Sequence, residues 1–143
     1  SADKIIFSAG DLYTSVLPHL LVNGIKEAVV SSKAKVILIL NLMTKRGETD
    51  CFKASDYLKA FLSYLEDKDS IDYMIVNSNG LDPEILRTYK KEGQDVVKLD
   101  EENCVKLSPH TKIIKKQLAV YHIREHLFRH APESLAKAIL ELN

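Results

Sequence analysis

Three short stretches limit the fold of this 143-residue chain more than anything else in it: "KIIF" (Lys4–Phe7), "KVILIL" (Lys35–Leu40) and "IDYMIVN" (Ile71–Asn77). Each is nearly continuous in apolar side chains rather than alternating. A strand of that kind must be covered on both faces, which is the signature of a parallel sheet. The segments between them carry helical signals. "KASDYLKAFLSYLEDK" places Ala54, Leu58, Phe61, Leu62 and Leu65 on one stripe, as in an amphipathic helix docked on a sheet. "SVLPHLLVNGIKEAVVSSK" predicts a short turn, with Pro18 in its first turn, then a helix from about Gly24 with Asn23 as N-cap. "DPEILRTYKKEG" has Asp82 as N-cap, Pro83 at the first helical position and Gly93 past the end. "PESLAKAILELN" starts a last helix at Pro132 and turns Leu135, Ala136, Ile139 and Leu140 inward.

Two weaker strands, "DVVKL" (Asp95–Leu99) and "HTKII" (His110–Ile114), complete the pattern. Strand–helix–strand order at this spacing implies parallel pairing with right-handed crossovers. The expected fold is α/β: a single domain over residues 1–143, with a three-layer Rossmann-like sheet, mostly parallel, of about five strands with helices on both faces. The order of elements between Glu101 and Arg129 is not fixed by the pattern.

Charge narrows the function. Lys plus Arg is 20 and Asp plus Glu is 20, with no single-sign block, so nothing calls for a nucleic-acid partner. The apolar runs fall far short of the roughly 20 residues of a membrane span. Cys51 and Cys104 stand far apart and read as free thiols, which suits a cytoplasmic protein.

In an open parallel sheet, ligands bind outside the carboxyl ends of the strands. Three loops should meet there: "SAGDLYTS" (Ser8–Ser15), "NLMTKRGETD" (Asn41–Asp50) and "NSNG" (Asn77–Gly80), all rich in hydroxyls, amides and glycine. Gly10 would let the backbone approach a ligand, and Thr14 and Ser15 would precede a helix whose free N–H groups favour phosphate. Lys45 and Arg46 add charge, and Gly47 makes the turn. The competing reading is that Thr14, Ser15, Thr49 and Asp50 are helix caps in a solvated loop. Asp11, Glu48 and Asp50 offer oxygen ligands for Mg²⁺, at a spacing that is not diagnostic. "HIREH" (His122–His126) matches a short zinc-protease pattern, with His130 one helical turn on. It lacks a third ligand downstream, and its alternative is a plain surface helix. All five glycines are isolated, so no phosphate-cradling glycine motif exists in the chain.

"SAGDLYTSVLPHLLVNGI" and "NLMTKRGETD" resemble two motifs of the CofD-like family, which contains 2-phospho-L-lactate transferase and the bacterial gluconeogenesis factors. The family forms are close to "GPGSLYTSILPNLLVPGI" and "NLMTQPGETD", and eight of ten positions of the second agree. The spacing to "IDYMIVN", "PEILRTYKKEG" and "RH…LAKAILELN" fits as well. The second motif looks like the gluconeogenesis-factor branch. The match covers essentially the whole chain but only the C-terminal half of the family, so the chain is expected to be part of a longer protein.

The resemblance implies a phosphorylated ligand, in this branch a UDP-sugar such as UDP-N-acetylglucosamine, tied to carbon metabolism and cell shape. Carried over by motif, the ligand-binding set is Gly10, Asp11, Leu12, Tyr13, Thr14 and Ser15 from the first loop. Asn41, Met43, Thr44, Arg46, Gly47, Glu48, Thr49 and Asp50 come from the second, with Asn77 after the third strand. Tyr89 and Arg129 match a uridine- or sugar-contacting pair. Here Ser8, Ala9 and Asp11 replace the family's glycine, proline and serine, Arg46 replaces proline, and Ala131 replaces a helix-capping aspartate. A carboxylate at Asp11 repels a phosphate unless a cation intervenes. The leading expectation is a regulatory ligand-binding module with no catalytic residue and no fixed metal. The alternatives are part of a phospho-lactyl transferase, with Mg²⁺, or an interaction domain that buries its sheet edge in a homodimer.

Overall fold

A computed structural model describes residues 2–143. Four parallel strands form one sheet in the order β1 (Lys4–Phe7), β2 (Lys35–Ile39), β3 (Tyr73–Asn77), β4 (Lys112–Lys116). The expected three-layer α/β arrangement is present, with four strands in the sheet where about five were expected.

The apolar runs explain the layering. Alternate side chains of each strand feed two separate cores. On one face, Phe7, Val36, Leu38, Met74 and Val76 pack under α2 (Ala54–Leu65) and α4 (Glu101–Leu107). All five residues of the predicted α2 stripe are buried. On the other face, Ile37, Tyr73 and Ile75 pack under α5 (Pro132–Leu140). The stripe α5 turns inward contains Leu135, Ala138 and Ile139, with Leu142 beyond its end. Ala136 and Leu140 were expected to face inward but are exposed, Leu140 by 75%. The helix is rotated so that the small Ala138 meets the sheet.

After β1 the chain makes a π-helical turn (Leu12–Val16) and a 3₁₀ turn (Leu17–Leu21) with Pro18 in its first turn, as expected. Helix α1 (Ile25–Val30) is entered through Gly24 at φ +86, so Gly24 takes the cap position expected of Asn23. Helix α3 (Pro83–Lys91) starts and stops as the sequence indicates: the Asp82 carboxylate accepts the N–H groups of Glu84 and Ile85, and Gly93 follows the end at φ +78. Helix α5 has Ala131 at its N-cap and so no side-chain cap, matching the loss of the family aspartate.

Two expectations fail. Asp95–Leu99 does not join the sheet, because β4 already occupies the free edge of β3. It is instead an extended segment pairing through Met43–Val96 and Lys53–Lys98. The "HIREH" helix does not exist either. β5 (Ala119–His122) and β6 (Leu127–His130) form an antiparallel hairpin, with His122 closing one strand and His126 in the turn at φ +54. The strands alternate, so Tyr121 and Phe128 pair on the inner face and Val120 and Arg129 on the outer.

Candidate functional site

The three expected loops do gather at the carboxyl ends of the strands. A cavity of about 390 Å³ is lined by Ala9, Gly10 and Asp11 from the first loop, Asn41, Leu42 and Met43 from the second, and Phe128, Arg129 and His130 from β6. A smaller one of about 160 Å³ joins the second loop to Asn77, Ser78 and Asn79 of the third and to Val96 and Val97.

Much of the polarity of "NLMTKRGETD" holds the loop itself. Asn41 ties the first two loops together: its amide oxygen accepts the Gly10 N–H at 3.2 Å and its amide nitrogen donates to the Gly10 carbonyl at 2.8 Å. Thr44 is buried, and its hydroxyl accepts the Asp95 N–H at 2.9 Å. Thr49, also buried, accepts the Lys45 N–H at 2.8 Å and the Tyr57 hydroxyl at 3.1 Å. Asp50 accepts the Gly47 N–H at 2.7 Å, closing a turn in which Gly47 has φ +79.

Glu48 has the most partners of the loop's side chains. Its carboxylate accepts the N–H groups of Leu12 at 3.1 Å, Tyr13 at 3.2 Å and Thr14 at 3.1 Å, and the Thr14 hydroxyl at 3.0 Å. Thr14 and Ser15 therefore lie inside the π-helical turn, not ahead of a helix. The N–H groups expected to receive a phosphate already carry an internal anion, which is where a helical turn stabilises one. Leu12 is buried in the core, and Tyr13 stands edge-on to Phe52. Gly10 serves packing, since a Cβ there would come within 3.1 Å of the Val16 side chain.

The same accounting separates the carboxylates. Glu48 caps the turn, Asp50 closes the loop, and Asp11 pairs with Lys45 at 2.8 Å. That hydrogen bond is also the chief reason the Lys45 ammonium titrates above its usual range. Among the described residues, no three acidic, histidine or cysteine side chains are grouped to hold a metal. The three carboxylates of the alternative Mg²⁺ reading are thus spent on separate partners. The cation Asp11 needed is on the chain: it is Lys45. Arg46 points elsewhere, its stem against Gly93, where a Cβ would lie 2.8 Å from the Arg46 Cδ.

Asn77 and Asn79 both accept the N–H groups of Leu118 and Ala119, so Asn77 anchors the start of the hairpin. Tyr89 anchors its far strand. Its hydroxyl accepts the Phe128 N–H at 2.8 Å and its ring stacks on Phe128 at 5.7 Å. Tyr89 and Arg129 thus lie on opposite faces of β6. Tyr89 lines a different groove of about 480 Å³, with Thr88 of α3, Glu92 just past its end, and Tyr121 and Leu127 of the hairpin. Arg129 is exposed, its Nε 3.2 Å from Glu125. Beside it, His130 has a buried Nε2 without a partner, and burial pulls its imidazole below the usual histidine range.

Sequence reasoning missed the hairpin and placed His130 one helical turn beyond "HIREH" rather than at the end of β6. The alternation in "AVYH" and "LFRH" was the available signal, masked by the "HIREH" pattern. The thiols differ in character: Cys51 is exposed, whereas burial pushes Cys104 up to about 12. No described helix is long and apolar enough to cross a membrane.

The profile of a family described as 2-phospho-L-lactate transferase CofD matches residues 1–119. A gluconeogenesis factor of Bacillus subtilis is 36% identical over 141 residues, which are 99% of this chain and 43% of that protein. One from Halalkalibacterium halodurans is 36% identical over 142 residues, 98% of this chain and 42% of the relative. A crystal structure of a Bacillus halodurans protein superposes with a TM-score of 0.90 at 35% identity, covering 98% of this chain and 43% of that one. The chain thus spans about two-fifths of the length of these relatives.

Proposed function

The chain belongs to the CofD family, and from that premise we propose that its strand-end crevice binds a phosphorylated small molecule, specifically a UDP-sugar such as UDP-N-acetylglucosamine. On this reading it is a cytoplasmic regulatory module of the gluconeogenesis-factor type, linked to carbon metabolism and cell shape. The observation that carries the reading is the charge arrangement of the crevice. Arg129 stands on its rim, and Asp11, which alone would repel a phosphate, is bridged by Lys45. A guanidinium suits a diphosphate because its fork can engage two oxygens at once. The second N–H of the Asn41 amide, whose first is taken by the Gly10 carbonyl, and the Met43 side chain offer a polar and an apolar contact to a sugar or base.

Titration calorimetry of the protein with UDP-N-acetylglucosamine tests this. Measurable heat that falls at least tenfold in affinity in Arg129→Ala is expected, and absence of heat and of thermal shift at millimolar ligand would overturn it. The transferase alternative draws support from the description of the family profile. Phospho-group transfer relies on positioning and charge neutralisation, and Lys45 and Arg129 would serve that purpose here without the Asp11, Glu48 and Asp50 cation.

A further inference from the structure

The polar groups of the crevice are sorted by charge from one wall to the other. The first loop contributes a carboxylate, Asp11, and β6 contributes the guanidinium of Arg129, with His130 next to it. A ligand phosphate is an anion and an acceptor of hydrogen bonds, so it belongs at Arg129 and not at Asp11. Glu125 engages only the Arg129 Nε, at 3.2 Å, which leaves the two terminal nitrogens of the fork for a phosphate.

The bonds of Asp11 decide what it can hold instead. Lys45 takes its Oδ2 at 2.8 Å and does not itself line the cavity. Oδ1 has no hydrogen-bond partner among the described residues, and the side chain stays 39% exposed. Each carboxylate oxygen has room for two bonds, so Asp11 offers free acceptor sites and no donor. Asn41 supplies the complement. Its amide oxygen accepts the Gly10 N–H and one amide hydrogen goes to the Gly10 carbonyl, which leaves the other hydrogen as a donor. Both bonds are to the residue preceding Asp11, so this donor and the carboxylate stand on the same wall.

A hydroxyl is the group that matches an acceptor beside a donor, since it gives one hydrogen bond and takes another. A diphosphate diester lacks the hydrogen that Asp11 requires and is repelled by its charge, and an ammonium lacks the acceptor that Asn41 requires. Two adjacent hydroxyls use the free sites of the carboxylate better than one. We propose that Asp11, with Asn41 beside it, is the specificity-determining residue of the crevice, holding a vicinal hydroxyl pair on a ligand sugar while Arg129 holds the phosphates. This rests on the UDP-sugar reading and deepens it, because it fixes which end of the ligand faces which wall. Ribose and hexose both carry such a pair, so the shared chemistry is the diol.

Titration calorimetry with UDP-N-acetylglucosamine and two analogues tests this, one lacking the ribose 2′-hydroxyl and one lacking the hexose 4-hydroxyl. One analogue is expected to bind the protein about tenfold or more weaker than the parent compound. In Asp11→Ala that gap is expected to close. The gap is the readout because Asp11→Ala also frees the Lys45 ammonium, which strengthens the binding of every anionic ligand alike. Asp11 caps the following turn with no side-chain bond, so the variant is expected to keep its fold, which thermal denaturation checks. Arg129→Ala is expected to weaken all three ligands together and leave the gap in place. The analogue that shows the gap names the sugar at Asp11. Equal binding of all three, or a gap that persists in Asp11→Ala, would overturn the proposal and leave the UDP-sugar reading standing. No heat with any of the three would overturn that reading and the proposal with it.

Discussion

Two walls of the crevice are held by opposite means. The Asn41–Asp50 loop is laced by its own side chains. Asn41 grips Gly10, Glu48 grips three backbone N–H groups, and Thr44 and Thr49 are buried with their hydroxyls engaged. The β5–β6 hairpin is held from outside, by Asn77 and Asn79 at its start and by Tyr89 under its far strand. Its tip is bare, with Ile123 exposed by 76%. A wall whose polar groups are spent internally can present only a fixed shape. The second wall takes its support from residues outside it and carries the exposed Arg129. The contrast teaches that motif residues such as Thr49 and Glu48 brace the first wall, while the second carries the exposed guanidinium of Arg129 on the rim of the crevice.

The comparison breaks most readily at Glu48. Glu48→Ala leaves the Leu12, Tyr13 and Thr14 N–H groups without their charged acceptor. Hydrogen bonds to charged groups are worth roughly 1.5–3 kcal/mol each, reduced here by partial exposure. Thermal denaturation should show a loss of about 2–3 kcal/mol, with Glu48→Gln in between. A loss no larger than that of an ordinary surface change would mean the first wall stands without it.

Tyr89→Phe probes the other wall. It keeps the stack on Phe128 and removes only the hydroxyl that accepts the Phe128 N–H. The expected cost is about 1 kcal/mol, felt locally as faster amide exchange in β6 while the Asn41–Asp50 loop is unchanged. Equal acceleration in both walls would contradict their independence.

His130 gives the hairpin a pH dependence. Burial disfavours its charged form, so its folded-state titration lies below the ordinary 6.5, and the Leu40 carbonyl only partly opposes this. The unfolded chain then binds the proton more readily. Stability is full above pH 6.5, declines as pH falls through that value, and levels off once the folded form is also protonated. His130→Gln should flatten that part of the stability–pH curve. Asp72 acts at lower pH. Burial alone would raise its titration, but the Val36 N–H and the Lys35 ammonium outweigh it and hold the carboxylate below 3.8. Its contribution is present above that value and is lost as pH falls through the lowered one.

The smallest effect is expected at Arg46. Arg46→Pro, the residue the family carries there, removes a stem that lies on Gly93 rather than in the crevice. Stability should change by about 0.5 kcal/mol or less, and ligand affinity should not change. A clear loss of affinity would return Arg46 to the site.

What was legible in the sequence followed from periodicity and caps. Continuous apolar runs gave β1, β2 and β3, the Ala54–Leu65 stripe gave its helix, and Asp82, Pro83 and Gly93 bounded another. The strand-end loops were placed on one edge by topology alone. The rest depended on partners distant in sequence. Glu48 reads as a site carboxylate until the turn at Leu12–Thr14 is folded against it. Tyr89 reads as a ligand contact until β6 is laid across it. The hairpin was hidden because four-residue strands carry too few alternations to outweigh a histidine pattern that favours a helix. Asp95–Leu99 has strand composition, but whether such a segment joins a sheet depends on which edges remain free.

The central claim is that ligand binds between the first two loops and β6, not in the larger groove beside α3. Chemical-shift mapping of the isotopically labelled protein during titration with UDP-N-acetylglucosamine decides this. The account predicts concentration-dependent shifts of the Gly10 and Met43 amides, the Asn41 side-chain amide and the Arg129 Nε–H, with Thr88 and Glu92 unmoved. Shifts confined to Thr88, Glu92 and Leu127, or none at all, would contradict it.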